Sequence, residues 1–367
     1  MQIKQLTINN FRNYQNASVN FCPSINLISG LNGQGKTNLA EAAVFLSLAK
    51  SPRTHQDKEL ILQNKDSANI KCTVQRNFGE INFDFTLNRF HDNEFFINFN
   101  KIKRTGQIFG NLVCVYFSPQ ELKIVTGSPS DRRDFCDTDI SMLSETYYNL
   151  TLRYERVLSQ RNKLLKTEKD ISKINDTISV WNEQLVQIAA PIVKTRKAFI
   201  EKLQPFANEF LNILSSKKEE LKISYVGCQG SSTQEIRKNL SNLLSNSLEK
   251  DIEVGYTGVG PHRDDVKFEL NGVDARIYSS QGQARSIVLA LKLAEMKIME
   301  EELGEKPVMV FDDVFSELDA RRQKKLYACL EGAQSIFTGT NFKFKPECEY
   351  KQFKVQAGQV KELKKGR

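Results

Sequence analysis

Gly30-Leu31-Asn32-Gly33-Gln34-Gly35-Lys36-Thr37 fits the pattern G-x-x-x-x-G-K-T, and its flanks decide the fold. Ahead of it, Ile25-Asn26-Leu27-Ile28-Ser29 is a short apolar-rich run that reads as a buried strand. Behind it, Leu39, Ala42, Ala43 and Leu46 recur at helical spacing until Ser51-Pro52 stops the helix. Strand, glycine loop and helix form the context in which this pattern holds phosphate. Gly30, Gly33 and Gly35 let backbone N–H groups converge on phosphate oxygens, and the helix N-terminus adds positive potential. Lys36 suits the β/γ-phosphates and the Thr37 hydroxyl suits Mg²⁺. The bland alternative is a glycine-rich turn with a solvated lysine, and the flanks disfavour it. The octet, Leu31, Asn32 and Gln34 included, reads as a nucleoside-triphosphate loop.

At 367 residues, 40% hydrophobic and 26% charged, the chain has an ordinary globular composition and enough length for two lobes. Its start, Met1-Gln2-Ile3-Lys4-Gln5-Leu6, lacks the apolar segment of a secretion signal. No apolar run approaches the ~20 residues that span a bilayer, so no membrane role is expected. Seven scattered cysteines without a C-x-x-C pair, and only three histidines, fit reduced thiols in the cytoplasm better than a disulfide or zinc framework. A net charge of +8 favours a polyanionic partner, although solubility alone would also account for it.

Two strands, residues 2–10 and 17–21, are expected around Phe11-Arg12-Asn13-Tyr14. Alternation over residues 70–76, 81–87 and 95–102 predicts an antiparallel meander whose aromatics Phe83, Phe85, Phe96 and Phe99 pack. Residues 112–117 make another buried strand, ending at Ser118-Pro119-Gln120. Ser128, Pro129 and Asp131 supply an N-cap, a first-turn proline and an acidic third residue, so a helix starts there. Arg132 and Arg133 in its first turn are unfavourable for the helix dipole without a nearby anion. They suit nucleotide, a partner subunit or DNA, or equally pairing with Asp134 or Asp137.

From about 140 to 216 the chain reads as helical, with a break near 167–170 and interruptions at Pro191 and Pro205. Arg153, Arg156, Arg161 and Lys163 populate one face of this arm, as candidate DNA contacts or as a solvated surface. A polar linker at 227–232, a helix over 236–248 and a hairpin around Asn271-Gly272 follow. The lysine-rich end, 361–367, is expected to be mobile.

Pro307-Val308-Met309-Val310-Phe311-Asp312-Asp313 is an apolar strand ending in acids. Asp312 is placed to hold Mg²⁺ through water and Asp313 to polarise an attacking water. Lys36 and Asp312 lie near opposite ends of the chain, so the middle is an insertion in a split ATPase core. That argues against a compact Ras-like GTPase. Ser280-Gln281-Gly282-Gln283 resembles the S-G-G-Q signature of ATP-binding-cassette (ABC) enzymes, which binds the γ-phosphate held by the opposite subunit. Ser280 with Gln283 also satisfies an ordinary capping box. Ser316-Glu317-Leu318-Asp319 matches the D-loop of that class, and Gln120 stands where its Q-loop glutamine, a metal ligand, would be.

In this order, with Gly260-Pro261-His262-Arg263-Asp264-Asp265 between, these runs resemble the bacterial RecF family over essentially the whole chain. That family is similar to the heads of the structural-maintenance-of-chromosomes (SMC) ATPases. The resemblance implies an α/β ABC-type P-loop ATPase head, a mixed sheet plus an antiparallel β-subdomain, with an inserted, mainly α-helical second lobe. Residues 1–121 plus 300–367 would form the ATPase lobe, and 122–299 the lobe carrying the signature. It further implies a cytoplasmic DNA repair and replication protein using ATP and Mg²⁺ that dimerises with ATP on single- and double-stranded DNA at gaps and junctions. With RecO and RecR it would help load RecA and support SOS induction. Gly30 to Thr37 would bind ATP, with Arg12 a phosphate or ribose contact or a structural residue. Thr37, Gln120 and Asp312 would serve the metal, Asp313 hydrolysis, and Ser280 to Gln283 the partner's ATP. Gln281 in place of the first signature glycine, Asp313 where glutamate is commoner, and no histidine in Ile336-Phe337-Thr338-Gly339-Thr340 suggest slow turnover. Alternatives are a DNA-junction adaptor switched by ATP binding alone, or another ABC-type subunit such as a transporter's.

Overall fold

The computed structural model describes residues 1–167, 171–215, 219–342 and 346–366. They divide into two compact units: Met1–Leu122, Glu209–Lys218 and Arg285–Arg367 make the first, Lys123–Asn208 and Glu219–Ala284 the second. The later boundary falls at 284/285, inside the helix Gln281–Leu303, and not at the expected residue 300.

The first unit holds two six-stranded sheets. One has the order Gln359–Gly366, Tyr350–Gln356, Ile25–Ser29, Ser335–Gly339, Val308–Asp312, Cys114–Phe117. All its neighbours pair in parallel except the edge strand Gln359–Gly366. Val308–Asp312 and Ser335–Gly339 are buried throughout, which explains why apolar residues such as Val308 to Phe311, and Ile336 with Phe337, follow one another without alternation. The other sheet is an antiparallel meander beginning Tyr14–Asn20, Gln2–Phe11, Ser67–Arg76, Gly79–Asn88.

The helix Lys36–Leu48 is buried around most of its circumference. Phe45 meets Phe85 and Phe95 of the meander edge-on, at 6.5 and 6.2 Å between ring centres. On another side, Cys114 of the parallel sheet donates its thiol to Ala43 O.

Two expectations for this unit fail. Phe83 and Phe85 pack as expected, but Phe99 sits at a turn tip, 91% exposed. Asn98 and Phe99 both take positive φ there, which turns the ring outward. Residues 361–366 of the lysine-rich end belong to the strand Gln359–Gly366, paired with Tyr350–Gln356 by a ladder in which Val355 faces Val360. Charge marked it as mobile, whereas lysines on an edge strand also protect that edge from further pairing.

The second unit is helical around a three-stranded antiparallel sheet, Leu221–Val226, Asp265–Leu270 and Val273–Asp274. The helix Pro129–Leu143 starts with the expected capping box of Ser128 and Asp131. The expected break near 167–170 falls on 168–170, outside the described residues. Pro191 and Pro205 do not interrupt the helix Ile171–Ser215. Each proline forfeits a backbone bond, about 3 kcal/mol or more, but Leu185, Ala189, Ala190, Ile192 and Val193 are buried along the same helix and offset it. The hairpin at Asn271-Gly272 forms, yet its second strand is only Val273–Asp274 because Asp274 caps the short helix Ala275–Tyr278.

Candidate nucleotide site

The parallel sheet brings the phosphate-loop strand and the acidic strand to the same edge, with Ser335–Gly339 between them. Thr338 on that middle strand donates its hydroxyl to Asp312 Oδ1. Thr37 Oγ1 donates to the same oxygen at 2.8 Å, and Tyr116 OH reaches Asp312 Oδ2 at 3.4 Å. Burial holds the Tyr116 phenol well above its ordinary pKa, with the Asp312 charge adding to it. Lys36 Nζ donates to Leu31 O at 3.0 Å. Burial lowers the Lys36 ammonium from its usual value, and Asp313 and Asp312 oppose that.

Asp313 has φ 55°, a left-handed backbone rare for a non-glycine residue. Its N–H donates to Thr338 O and Oγ1, while its buried Oδ1 has no hydrogen-bond partner among the described residues. A buried carboxylate oxygen left open beside a hydroxyl and a second carboxylate is a place for water. Hard oxygen donors of this kind fit Mg²⁺, which takes one or two protein groups and completes its shell with phosphate and water. Among the described residues there is no cluster of three or more His, Cys, Asp or Glu groups able to hold a metal alone.

The phosphate loop is held from two sides that its own sequence does not reveal. Asn13 Nδ2 donates to Gln34 O at 2.9 Å and Tyr14 OH to Gly35 O at 2.9 Å. The turn of the C-terminal hairpin supplies Ala357 N to Gln34 Oε1, 2.7 Å, and Gly358 N to Gln34 O, 3.3 Å. A Cβ on Gly30 would lie 2.3 Å from Val355 O, so the loop starts against that hairpin as only glycine permits. No motif announces the hairpin's role.

Arg12 makes a bidentate pair with buried Glu41, at 2.9 and 2.7 Å, and Arg53 joins the same carboxylate at 3.1 Å. Arg12 therefore has a structural partner while still lining a cavity of about 680 Å³ with Asn13, Asn38, Arg53 and Arg89. Gln120 is exposed, on a turn anchored by Glu121 through buried Lys292 at 3.1 Å. In the D-loop, Ser316 Oγ donates to Asp313 O and Asp319 caps the next helix by accepting from Arg322 N.

Ser280 and Gln283 form a reciprocal capping box: Gln283 N to Ser280 Oγ, 3.2 Å, and Ser280 N to Gln283 Oε1, 3.0 Å. Ser280 and Gln281 are exposed, and a Cβ on Gly282 would meet nothing closer than Ser280 Oγ at 4.0 Å. The helix end is capped, with Ser280 and Gln281 exposed.

The basic candidates separate. Arg153, Arg156 and Lys163 are exposed, the two arginines lining a groove of about 610 Å³. Arg161 is not a surface residue. It is fully buried, with Nη1 on Asp251 at 2.8 Å and Thr257 at 2.7 Å, because its helix turns it inward. Arg132 is likewise buried, in a bidentate pair with Asp265 at 2.6 and 3.0 Å, and Arg133 donates to Asp264 O. The carboxylate paired with Arg132 is thus Asp265, Arg133 holds a backbone carbonyl, and Asp137 pairs with Arg196.

Sheet order, phosphate loop, acidic strand end and capped signature helix define an ABC-type P-loop ATPase head. The RecF/RecN/SMC N terminal domain family matches residues 2–340. The DNA replication and repair protein RecF of Clostridium perfringens is 39% identical over 340 residues, 93% of each chain. That of Caldanaerobacter subterraneus subsp. tengcongensis is 40% identical over 346 residues, 93% of this chain and 94% of its own. The chain belongs to the RecF family. A solved structure of the recombination mediator protein RecF with ATP, in the RecFOR pathway, superposes with TM-score 0.92 at 38% identity, covering 99% of this chain and 97% of that one. An SMC head bound to the C-winged helix domain of ScpA shares the fold at TM-score 0.58 and 14% identity, covering 99% and 97%.

Proposed function

We propose that this chain is an ATP-gated DNA clamp of recombinational repair. ATP binds at residues 30–37, its phosphates on the backbone N–H groups and Lys36, its nucleoside end toward the cavity of Arg12 and Arg53. Thr37 and Asp312 would hold Mg²⁺, with Gln120 nearby in sequence to the same sheet edge; the cation would neutralise phosphate charge. Asp313 would orient water through its open Oδ1. The observation that carries this reading is that carboxylate: a buried oxygen without a partner among the described residues, on a residue at φ 55°, next in the chain to Asp312 of the Thr37–Asp312 pair.

The capped helix end at Ser280 to Gln283, with Ser280 and Gln281 exposed, binds the ATP of a second copy, so ATP dimerises the protein on DNA at single-strand gaps and junctions. Exposed Arg153, Arg156 and Lys163 contribute to the DNA surface. Working with RecO and RecR, the dimer helps load RecA and supports replication and SOS induction in the cytoplasm. No described helix is long and apolar enough to cross a membrane. A second reading, ATP binding as the whole switch, is favoured by the short Asp313 side chain and its constrained backbone; turnover with and without DNA separates the two.

Light scattering with ATP tests the shared site. Ser280→Arg should bind ATP as a monomer yet fail to dimerise, and Lys36→Met should lose ATP-driven dimerisation through weakened binding. Mixing the two leaves one intact composite site and recovers part of the association. Normal ATP-dependent dimerisation of Ser280→Arg would reduce the stretch to a helix cap.

A further inference from the structure

Five residues of Gly260-Pro261-His262-Arg263-Asp264-Asp265 are tied down. A Cβ on Gly260, at φ 125°, would lie 2.5 Å from Tyr154 OH. Pro261 O accepts from buried Arg196 at 2.6 Å. His262 is held at both ring nitrogens, by Tyr154 OH at 2.7 Å and Thr257 O at 3.0 Å. Asp264 accepts from Tyr225 OH, its backbone carbonyl accepts from Arg133, and Asp265 pairs with Arg132. Beneath Thr257 lies buried Arg161, bonded to Asp251, which also accepts from Gly258 N at 2.9 Å.

Arg263 differs. It ends a tight turn, its N–H on Gly260 O at 2.8 Å, and its side chain is exposed. Among the described residues no carboxylate pairs with it; its guanidinium lies over the half-exposed ring of Tyr256, 5.0 Å from the centre. A guanidinium held over an aromatic face is partly ordered in advance and loses less entropy when an anion arrives to take its N–H donors.

We propose that Arg263 is a phosphate contact, supported on Tyr256, and that the buried network below exists to fix its position. The proposal rests on the DNA-binding reading, and the phosphate is one of the DNA backbone. Phosphate could also come from a nucleotide held by a second copy, so the experiment reads both. Labelled gapped duplex is titrated by fluorescence anisotropy across a salt series, with ATP-dependent mass and thermal melting measured in parallel. Counterion release from one phosphate, a log–log slope of roughly −0.9, is worth about fivefold in affinity at about 0.15 M salt.

Arg263→Ala should therefore bind about fivefold more weakly at that salt, with a slope shallower by roughly 0.9 and unchanged dimerisation. Arg263→Lys should keep the slope, and Tyr256→Leu should keep it too while weakening binding. Should Arg263→Ala melt early, Arg263→Gln takes its place. Unchanged affinity and slope would overturn the proposal. A loss of ATP-dependent dimerisation with monomer DNA binding intact would overturn it too, by giving the contact to nucleotide. Failure of the unsubstituted protein to bind DNA would instead sink the reading on which the proposal rests.

Discussion

Gly358→Ala tests whether the C-terminal hairpin holds the phosphate loop. Gly358 has φ 71°, where an alanine costs roughly 1–2 kcal/mol. Its new Cβ would also stand 2.6 Å from Asn13 O, a backbone atom that cannot rotate away. Asn13 and Gly358 both donate to Gln34 O, so the displacement passes directly into the loop. Gly332→Ala is the matched control: φ is 77°, but the only neighbour within 4 Å is the flexible end of Lys306, at 3.6 Å. Both variants should lose similar stability from backbone strain. Only Gly358→Ala should lose ATP affinity, by roughly tenfold, since sub-ångström misplacement of a binding group costs on that order. Calorimetric titration with ATP and a melting curve for each variant make the comparison. Equal ATP affinity in the two variants would refute the buttress.

Arg161→Met should lower the melting temperature by roughly 6–20 °C, because it strands buried Asp251 at a cost of about 3–5 kcal/mol, and leave the salt slope of DNA binding unchanged; a changed slope with normal melting would return Arg161 to the surface. Asp313→Asn should retain ATP and accumulate as a dimer; if it fails to bind Mg·ATP, Asp312 and Asp313 exchange roles. In the second unit, burial pushes His262 down to about 4, so its stabilising contribution is present above pH 6.5 and is lost as pH falls toward 4. Burial pushes Asp264 up to about 6, so its contribution is present below pH 3.8 and is lost as pH rises to 6. The two oppose each other at roughly 3 kcal/mol apiece. Asp264→Asn should therefore unmask the His262 dependence, and denaturant midpoints between pH 4 and 6.5 should rise more steeply with pH than in the unsubstituted chain.

What could be read in advance is what neighbours in sequence dictate. The phosphate loop, the capped start at Pro129 and the reciprocal cap at Ser280 all depend on residues a few positions apart. What could not be read depends on partners far along the chain. Arg161 has the spacing of a surface cation, and only Asp251 and Thr257, folded over it, make it a core residue. In the Phe11-to-Tyr14 run, Arg12 reads as a phosphate or ribose contact or as a structural residue; folding pairs it with Glu41, while Asn13 and Tyr14 clamp the phosphate loop, partners that local sequence does not show. The lysine-rich end carries no signal that its hairpin turn reaches Gln34.

The same distinction bears on how the site works. Lys36, Thr37, Asp312 and Thr338 already bond to one another or to nearby backbone. On the proposed reading, nucleotide arrival would exchange bonds and not simply add them: Lys36 would leave Leu31 O, and Thr37 would share Asp312. An exchanged hydrogen bond nets only about 1 kcal/mol, whereas one to a charged group nets roughly 1.5–3 kcal/mol. The gain on binding thus comes chiefly from the charged phosphates. Asp313 stands apart, since among the described residues its Oδ1 has no bond to give up. On the proposed reading, a water placed there would satisfy a buried carboxylate at no such loss, which suits Asp313 to orient water toward the phosphate.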